Sequence, residues 1–192
     1  DKIESLSKKV FKQLSGLKEE HFQTALGVEF RKNKINFMRE LALNGEKEFS
    51  YVPAIIENKG EKLKAKIRLK GDRDIHYKDL NTSSYRIEIK NDKTFLGMSK
   101  FSIHKPVARN YIREWIYLKM NYNEGIVTPR YKFIEVNING QSKGLYAIEE
   151  HYTKHLIEYN NRKEGPIIRF NENYGLSFEN SRIEPYHISK EV

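Results

Sequence analysis

Asn139-Gly140, set between two runs of alternating residues, constrains this chain more than any other dipeptide in it. The pair supplies the two positive-φ positions of a type I′ turn, whose twist matches the strands of an antiparallel hairpin. Ahead of it, Tyr131, Phe133, Glu135 and Asn137 fall on one side and Lys132, Ile134, Val136 and Ile138 on the other. Upstream, Ala108, Tyr111, Ile112, Trp115 and Ile116 recur at the spacing of one apolar helix stripe, with Arg109, Arg113 and Glu114 off it. The spacing predicts a helix over 108–122 buried along that stripe, preceded by a strand over 100–104. A helix laid on an antiparallel sheet is an α+β arrangement with one main packed helix.

The remaining segments fit the same plan. Ile3, Leu6, Val10, Leu14 and Leu17 predict an amphipathic helix over 2–20, free to dock on its own domain or on a partner. Residues 24–30 read as a strand. Residues 34–43 read as a short helix with Ile35, Met38, Leu41 and Ala42 inward, ended by Asn44-Gly45. Pro53 confines the strand over 51–58 to an edge or to a strand start. Residues 62–70 have the clearest period of two: Leu63, Ala65, Ile67 and Leu69 oppose Lys62, Lys64, Lys66, Arg68 and Lys70. Tyr85, Ile87 and Ile89 alternate with Arg86, Glu88 and Lys90, and Asn91-Asp92-Lys93 turns the chain. A helix is expected over 150–162 and a strand over 166–170. From 171 on no period is sustained.

Composition bounds the partners. Thirty-five Lys and Arg against 26 Asp and Glu leave a net charge of +9, which suits polyanionic company or simply a basic, soluble surface. The charge is spread along the chain, which argues against a nucleic-acid-binding arm. The absence of cysteine excludes disulfides, thiolate catalysis and Cys-based zinc sites. No apolar run approaches the roughly 18 residues of a membrane helix. The chain begins with Asp1, so a trimmed N-terminus is expected and compartment is left open.

Few chemical motifs stand out. His151 and His155 have the i, i+4 spacing of two zinc ligands on a helix, but H-Y-T-K-H lacks the Glu of a metalloprotease motif and reads equally as helix surface. Asp72 and Asp74 could share a metal or simply form a solvated turn. Arg68 and Arg86 lie on adjacent expected strands, both away from the core. They form either an anion site, with Glu114 orienting one of them, or a solvent-facing pair.

The succession KIRLKGDR (66–73), SYRIEIK (84–90), GMSKFSI (97–103), ARNY (108–111), EGIVTPRY (124–131), VNING (136–140), GLYAIEE (144–150) and EGPIIRF (164–170) resembles the spore-coat protein H (CotH) kinase family, from about Leu63 to Asn171. The resemblance implies an atypical protein kinase of reduced kinase-like fold that moves phosphate from ATP, with Mg²⁺, to Ser of a protein substrate. It implies a small lobe over 51–150, an extension over 1–50, and a hinge with the start of a second lobe over 151–192. Gly71 and its loop would cover the phosphates. Arg86 would hold them, with Glu114 as its partner and Arg68 alongside. Glu149 would mark the approach to the hinge, and Ile168 and Arg169 would lie by the adenine. Many relatives have a Lys near Ser83, which this chain lacks. No catalytic or metal-binding residue is assigned in this segment. The Asp pair of such kinases is expected downstream of a chain read as an N-terminal portion. The alternative is a non-catalytic interaction or assembly domain of the same family.

Overall fold

The computed structural model describes residues 25–44, 49–71, 74–79, 81–171 and 182–187, and single positions 5 and 9. The helix expected over 2–20 and Asp72 of the polar loop lie outside the described residues. The strands are β1 (Ala25–Phe30), β2 (Val52–Asn58), β3 (Glu61–Leu69), β4 (Tyr85–Ile89), β5 (Lys100–His104), β6 (Tyr131–Ile138), β7 (Gln141–Glu150), β8 (Ile167–Asn171) and β9 (Arg182–His187). The helices are α1 (Lys32–Leu43), α2 (Arg113–Asn123) and α3 (Lys154–Tyr159).

Seven strands close into a barrel in the order β1-β2-β3-β4-β5-β7-β6. Every pair is antiparallel except the seam, where β1 runs parallel to β6 with Ala25 opposite Glu135 and Val28 opposite Ile138. This corrects the expected α+β fold, an antiparallel sheet backed by one main packed helix. Closure pairs both edges of the sheet, so no helix is needed to cover them. The interior is filled by the strands' own alternation: Leu63, Ala65, Ile67 and Leu69 face Ile87, Phe101, Ile103, Ile134, Tyr146 and Ile148 in one buried cluster. Each Leu, Ile and Phe among them contributes about 1.5–3 kcal/mol on burial. α1 adds Ile35, Met38 and Ala42 to that cluster.

The turns follow the expected chemistry. Asn139 and Gly140 have φ of 50° and 79°, Lys59 and Gly60 of 48° and 83°, and Asn91 and Asp92 of 62° and 53°. Asn139 also ties the seam: its side-chain oxygen accepts from the Phe30 N–H at 2.8 Å, and its own N–H donates to the Val28 carbonyl at 2.8 Å. Pro53 is paired with Lys66 of β3, while the β1 ladder begins one residue later at Ala54, so its missing N–H interrupts neither neighbour's ladder there.

The helix expected over 108–122 is broken. Pro106–Arg109 form a 3₁₀ turn, Asn110 and Tyr111 follow with φ of 52° and 62°, and only Arg113–Asn123 are α-helical. The two left-handed residues turn the apolar stripe away from the sheet. Ile112 is buried, but α2 itself buries no residue, and Trp115 and Ile116 are each 42% exposed. The helix expected over 150–162 is shorter, Lys154–Tyr159, and the tail read as irregular supplies β9, which pairs with β8 in a separate two-stranded sheet. No helix among the described residues is long and apolar enough to cross a membrane.

Candidate functional site

The register aligns a polar row across the outer wall of the barrel. Arg68 on β3 is opposite Arg86 on β4, Arg86 is opposite Ser102 on β5, Ser102 is opposite Glu149 on β7, and Glu149 is opposite Tyr131 on β6. The alternation that buries Ile67, Ile87, Phe101 and Ile148 inside sends this set outside. The wall belongs to a closed barrel, so the row is not the concave half-cradle that an open sheet backed by a helix would have offered.

A largely buried ion pair on the wall was not legible from the chain. Lys70, just past β3, reaches across β4 and β5 so that its Nζ donates to Glu149 Oε2 at 2.9 Å, with the two side chains only 14% and 20% exposed. Burial lowers the Lys70 ammonium below its ordinary range. Glu149 opposes that shift, and Arg109 and Arg86 reinforce it. Burial pushes the Glu149 carboxyl up, but Lys70, His104 and Arg109 outweigh it and the net shift is downward. His104 Nδ1 lies 3.9 Å from Glu149 Oε2, and its Nε2 is hydrogen-bonded to the Tyr131 hydroxyl at 3.2 Å. Burial, then Lys70, pushes His104 down to about 3, so the ring is neutral at ordinary pH. A proton on Nδ1, facing the carboxylate, leaves Nε2 to accept from the Tyr131 O–H. Burial and the cations Arg86, Lys100 and Lys70 likewise push His151 down to about 3.

The expected site residues divide into two groups. Arg68, Arg86 and Glu149 share the wall, although Arg68 leans on Tyr51, with its guanidinium carbon 5.4 Å from the ring centroid. Glu114 sits in the first turn of α2, close enough to Tyr131 to act on it electrostatically. Gly71 has φ of +112°, and a Cβ there would lie 2.3 Å from the His76 ring. Its glycine is therefore accounted for by packing against His76. Ile168 is 61% exposed on β8, and Arg169 is opposite Glu184 in the two-stranded sheet, outside the barrel. Arg109, from the 3₁₀ turn, joins the wall instead, and its Nε is buried without a hydrogen-bond partner among the described residues. The period of β3 did mark Lys70 as outward. Its partner lies 79 residues away, beyond the reach of any local pattern.

The histidine pair does not form the helical zinc geometry, because His151 precedes α3 and His155 is on it; His155 Nδ1 is hydrogen-bonded to Ser99 Oγ at 3.0 Å. No group of three or more His, Asp or Glu that could hold a metal occurs among the described residues.

A second cluster explains why several sequence segments travel together. Arg130, at the start of β6, donates from Nε to Glu150 Oε2 at 2.9 Å and from a terminal nitrogen to Glu150 Oε1, and its backbone N–H reaches Oε2 at 3.2 Å. The same guanidinium donates to the Leu96 carbonyl at 3.1 Å and the Gly97 carbonyl at 2.9 Å, and lies over the Tyr159 ring. The segments 97–103, 124–131 and 144–150 thus meet at one ion pair. All three fall within residues 67–191, which match the family model described as CotH kinase protein. The chain belongs to the CotH kinase family. No curated protein matches it. The CotH match begins inside β3, so β1, α1 and β2, which complete the barrel, precede the matched span.

Proposed function

We propose that this CotH family member contributes the phosphate side of an ATP site in a protein kinase that acts on Ser, with Lys70, Arg86 and Arg109 facing the phosphates. Arg68 and Glu114 flank them, and Glu149 holds Lys70. Gly71 adjoins Lys70 on the phosphate side, and Ile168 and Arg169 supply the adenine side. The observation that carries the reading is the cation cluster on the β3–β4–β5–β7 wall, where Arg109 Nε is buried with no partner among the described residues. A buried guanidinium nitrogen is costly to leave unmade, and a phosphate oxygen would satisfy it. The residues therefore fit a polyphosphate. Mg²⁺ in such a site is held by one or two carboxylates together with the phosphates themselves, and among the described residues no group of three or more His, Asp or Glu forms a dedicated metal cage. Position on an outer wall counts against a preformed pocket, so the wall acts as one side of a site and not as an enclosure.

The test is titration of the chain with ATP, followed by labelled-phosphate transfer to a Ser-rich protein. Saturable ATP binding that is lost on Arg86→Met supports the reading; no binding at millimolar ATP overturns it. The alternative, a binding or assembly domain without transfer chemistry, is favoured by the exposed face of α2, with Tyr117 62% and Met120 64% exposed. Nucleotide-independent association with a protein partner, and no phosphate transfer, would select it.

A further inference from the structure

Lys70 is hydrogen-bonded to Glu149 at 2.9 Å, Arg109 acts on both, and Arg86 stands close enough to act on Lys70. Their influence on one another is direct: Arg109 and Arg86 both act on Lys70, and Arg109 and Lys70 both act on Glu149 and His104. Glu114, in the first turn of α2, acts on Tyr131 at the far end of the row. Both histidines in the cluster are buried and neutral, so neither adds positive charge to it at ordinary pH. Glu149 has Lys70 as its hydrogen-bonded partner and His104 as a close neighbour. It lies between Lys70 at 2.9 Å and His104 at 3.9 Å, and His104 is in turn held by Tyr131 at 3.2 Å.

We propose that Glu149 occupies the anion seat of this wall in place of phosphate, and that Lys70 is the cation handed from Glu149 to the terminal phosphate of an arriving polyphosphate. This rests on the nucleotide reading above and departs from the sequence-based assignment, in which Arg86 held the phosphate and Glu114 oriented it. The chemistry follows from what the groups are. A carboxylate and a phosphate oxygen compete for the same N–H donors. A lysine ammonium has three rotatable donors and can turn from one acceptor to the other without moving the strand. The Arg109 guanidinium, on a short turn and with an unmet Nε, supplies a second, fixed donor. His104 and Tyr131 are positioning residues that hold Glu149 as the resident acceptor, and Glu149 is the brake on binding.

The sign of one substitution separates this from a purely structural ion pair. Glu149→Gln removes the competing charge and keeps the shape, so inorganic tripolyphosphate and ATP bind more tightly, by roughly threefold to tenfold. A structural role alone leaves the affinity unchanged or weakens it. Lys70→Met and Arg109→Met each weaken both ligands by roughly tenfold, the low end of one charge-assisted hydrogen bond. Lys70→Arg, which keeps the charge, restores most of the Lys70→Met loss. Adenosine, with no phosphate, is insensitive to all four. Isothermal titration of the 192-residue chain with tripolyphosphate, ATP and adenosine reads each effect, with far-UV circular dichroism confirming that each variant is folded. If ATP binds but Glu149→Gln fails to tighten it, or Lys70→Met leaves it unchanged, the inference is overturned and the nucleotide reading stands. Binding of tripolyphosphate without ATP overturns the nucleotide reading and keeps the seat. Binding of neither overturns both.

Discussion

Replacing Arg130 with Leu strands a carboxylate. Glu150 has a side chain with 0% exposure, and Arg130, itself 12% exposed, is its ion-pair partner through both carboxylate oxygens. Breaking a buried pair by deleting one partner costs about 3–5 kcal/mol, because the remaining charge has neither water nor a counter-ion. The Leu96 and Gly97 carbonyls lose their donors as well, each worth about 1 kcal/mol net. Set against a typical total of about 5–15 kcal/mol, Arg130→Leu removes a large share of the stability. In urea, with a slope of about 2 kcal/mol per molar, the unfolding midpoint falls by about 3 M. The double variant Arg130→Leu with Glu150→Leu removes both charges together, and most of the loss returns, because an apolar pair of similar size is often as stable as a buried ion pair. A midpoint shift below about 0.5 M in the single variant, or a double variant no more stable than the single, would refute the view that this pair joins the three segments.

Gly71→Ala puts a Cβ 2.3 Å from the His76 ring at φ of +112°, so the melting temperature falls by several degrees, at a cost on the order of 2–3 kcal/mol. Asn139→Ala removes the Phe30 N–H acceptor at the β1–β6 seam and the best residue for a φ of 50°; stability drops by about 1–2 kcal/mol, and amide exchange accelerates first across Ala25–Phe30. His104 is held neutral by a native value of about 3 against the ordinary 6.5, so the unfolded chain binds the proton first and stability falls as pH drops below 6.5 toward 3. Acid titration of the urea midpoint should show a loss of about 1.5 kcal/mol from this group between pH 6.5 and 5, with His151 adding in the same direction, and His104→Asn should flatten that slope.

The candidate site was partly legible in the chain. Arg68 and Arg86 were placed on neighbouring strands and away from the core, because a period of two sets the face of a residue whatever the sheet does next. Glu149 was singled out only by resemblance, and its partner was missed. Lys70 and Glu149 meet because β3, β4, β5 and β7 are neighbours in that order, and strand order is a matter of tertiary pairing. Arg109 was placed off the buried stripe of a continuous helix, with no role in the site. The left-handed pair Asn110-Tyr111 divides that helix, and Tyr in this conformation is uncommon enough that no spacing rule anticipates it.

Local backbone chemistry determined the strands, their inward faces and their hairpin turns, since alternation and positive-φ residues such as Asn139, Gly140 and Gly60 act over two to eight neighbours. Tertiary structure alone decided that the sheet closes, that β1 runs parallel to β6, and that the helix after β5 is left uncovered with Trp115 at its surface. The reason is that closure is settled by edges far apart in the chain. Once β1 meets β6 through Asn139, the barrel fills its own interior and the apolar stripe of α2 is not needed in its core.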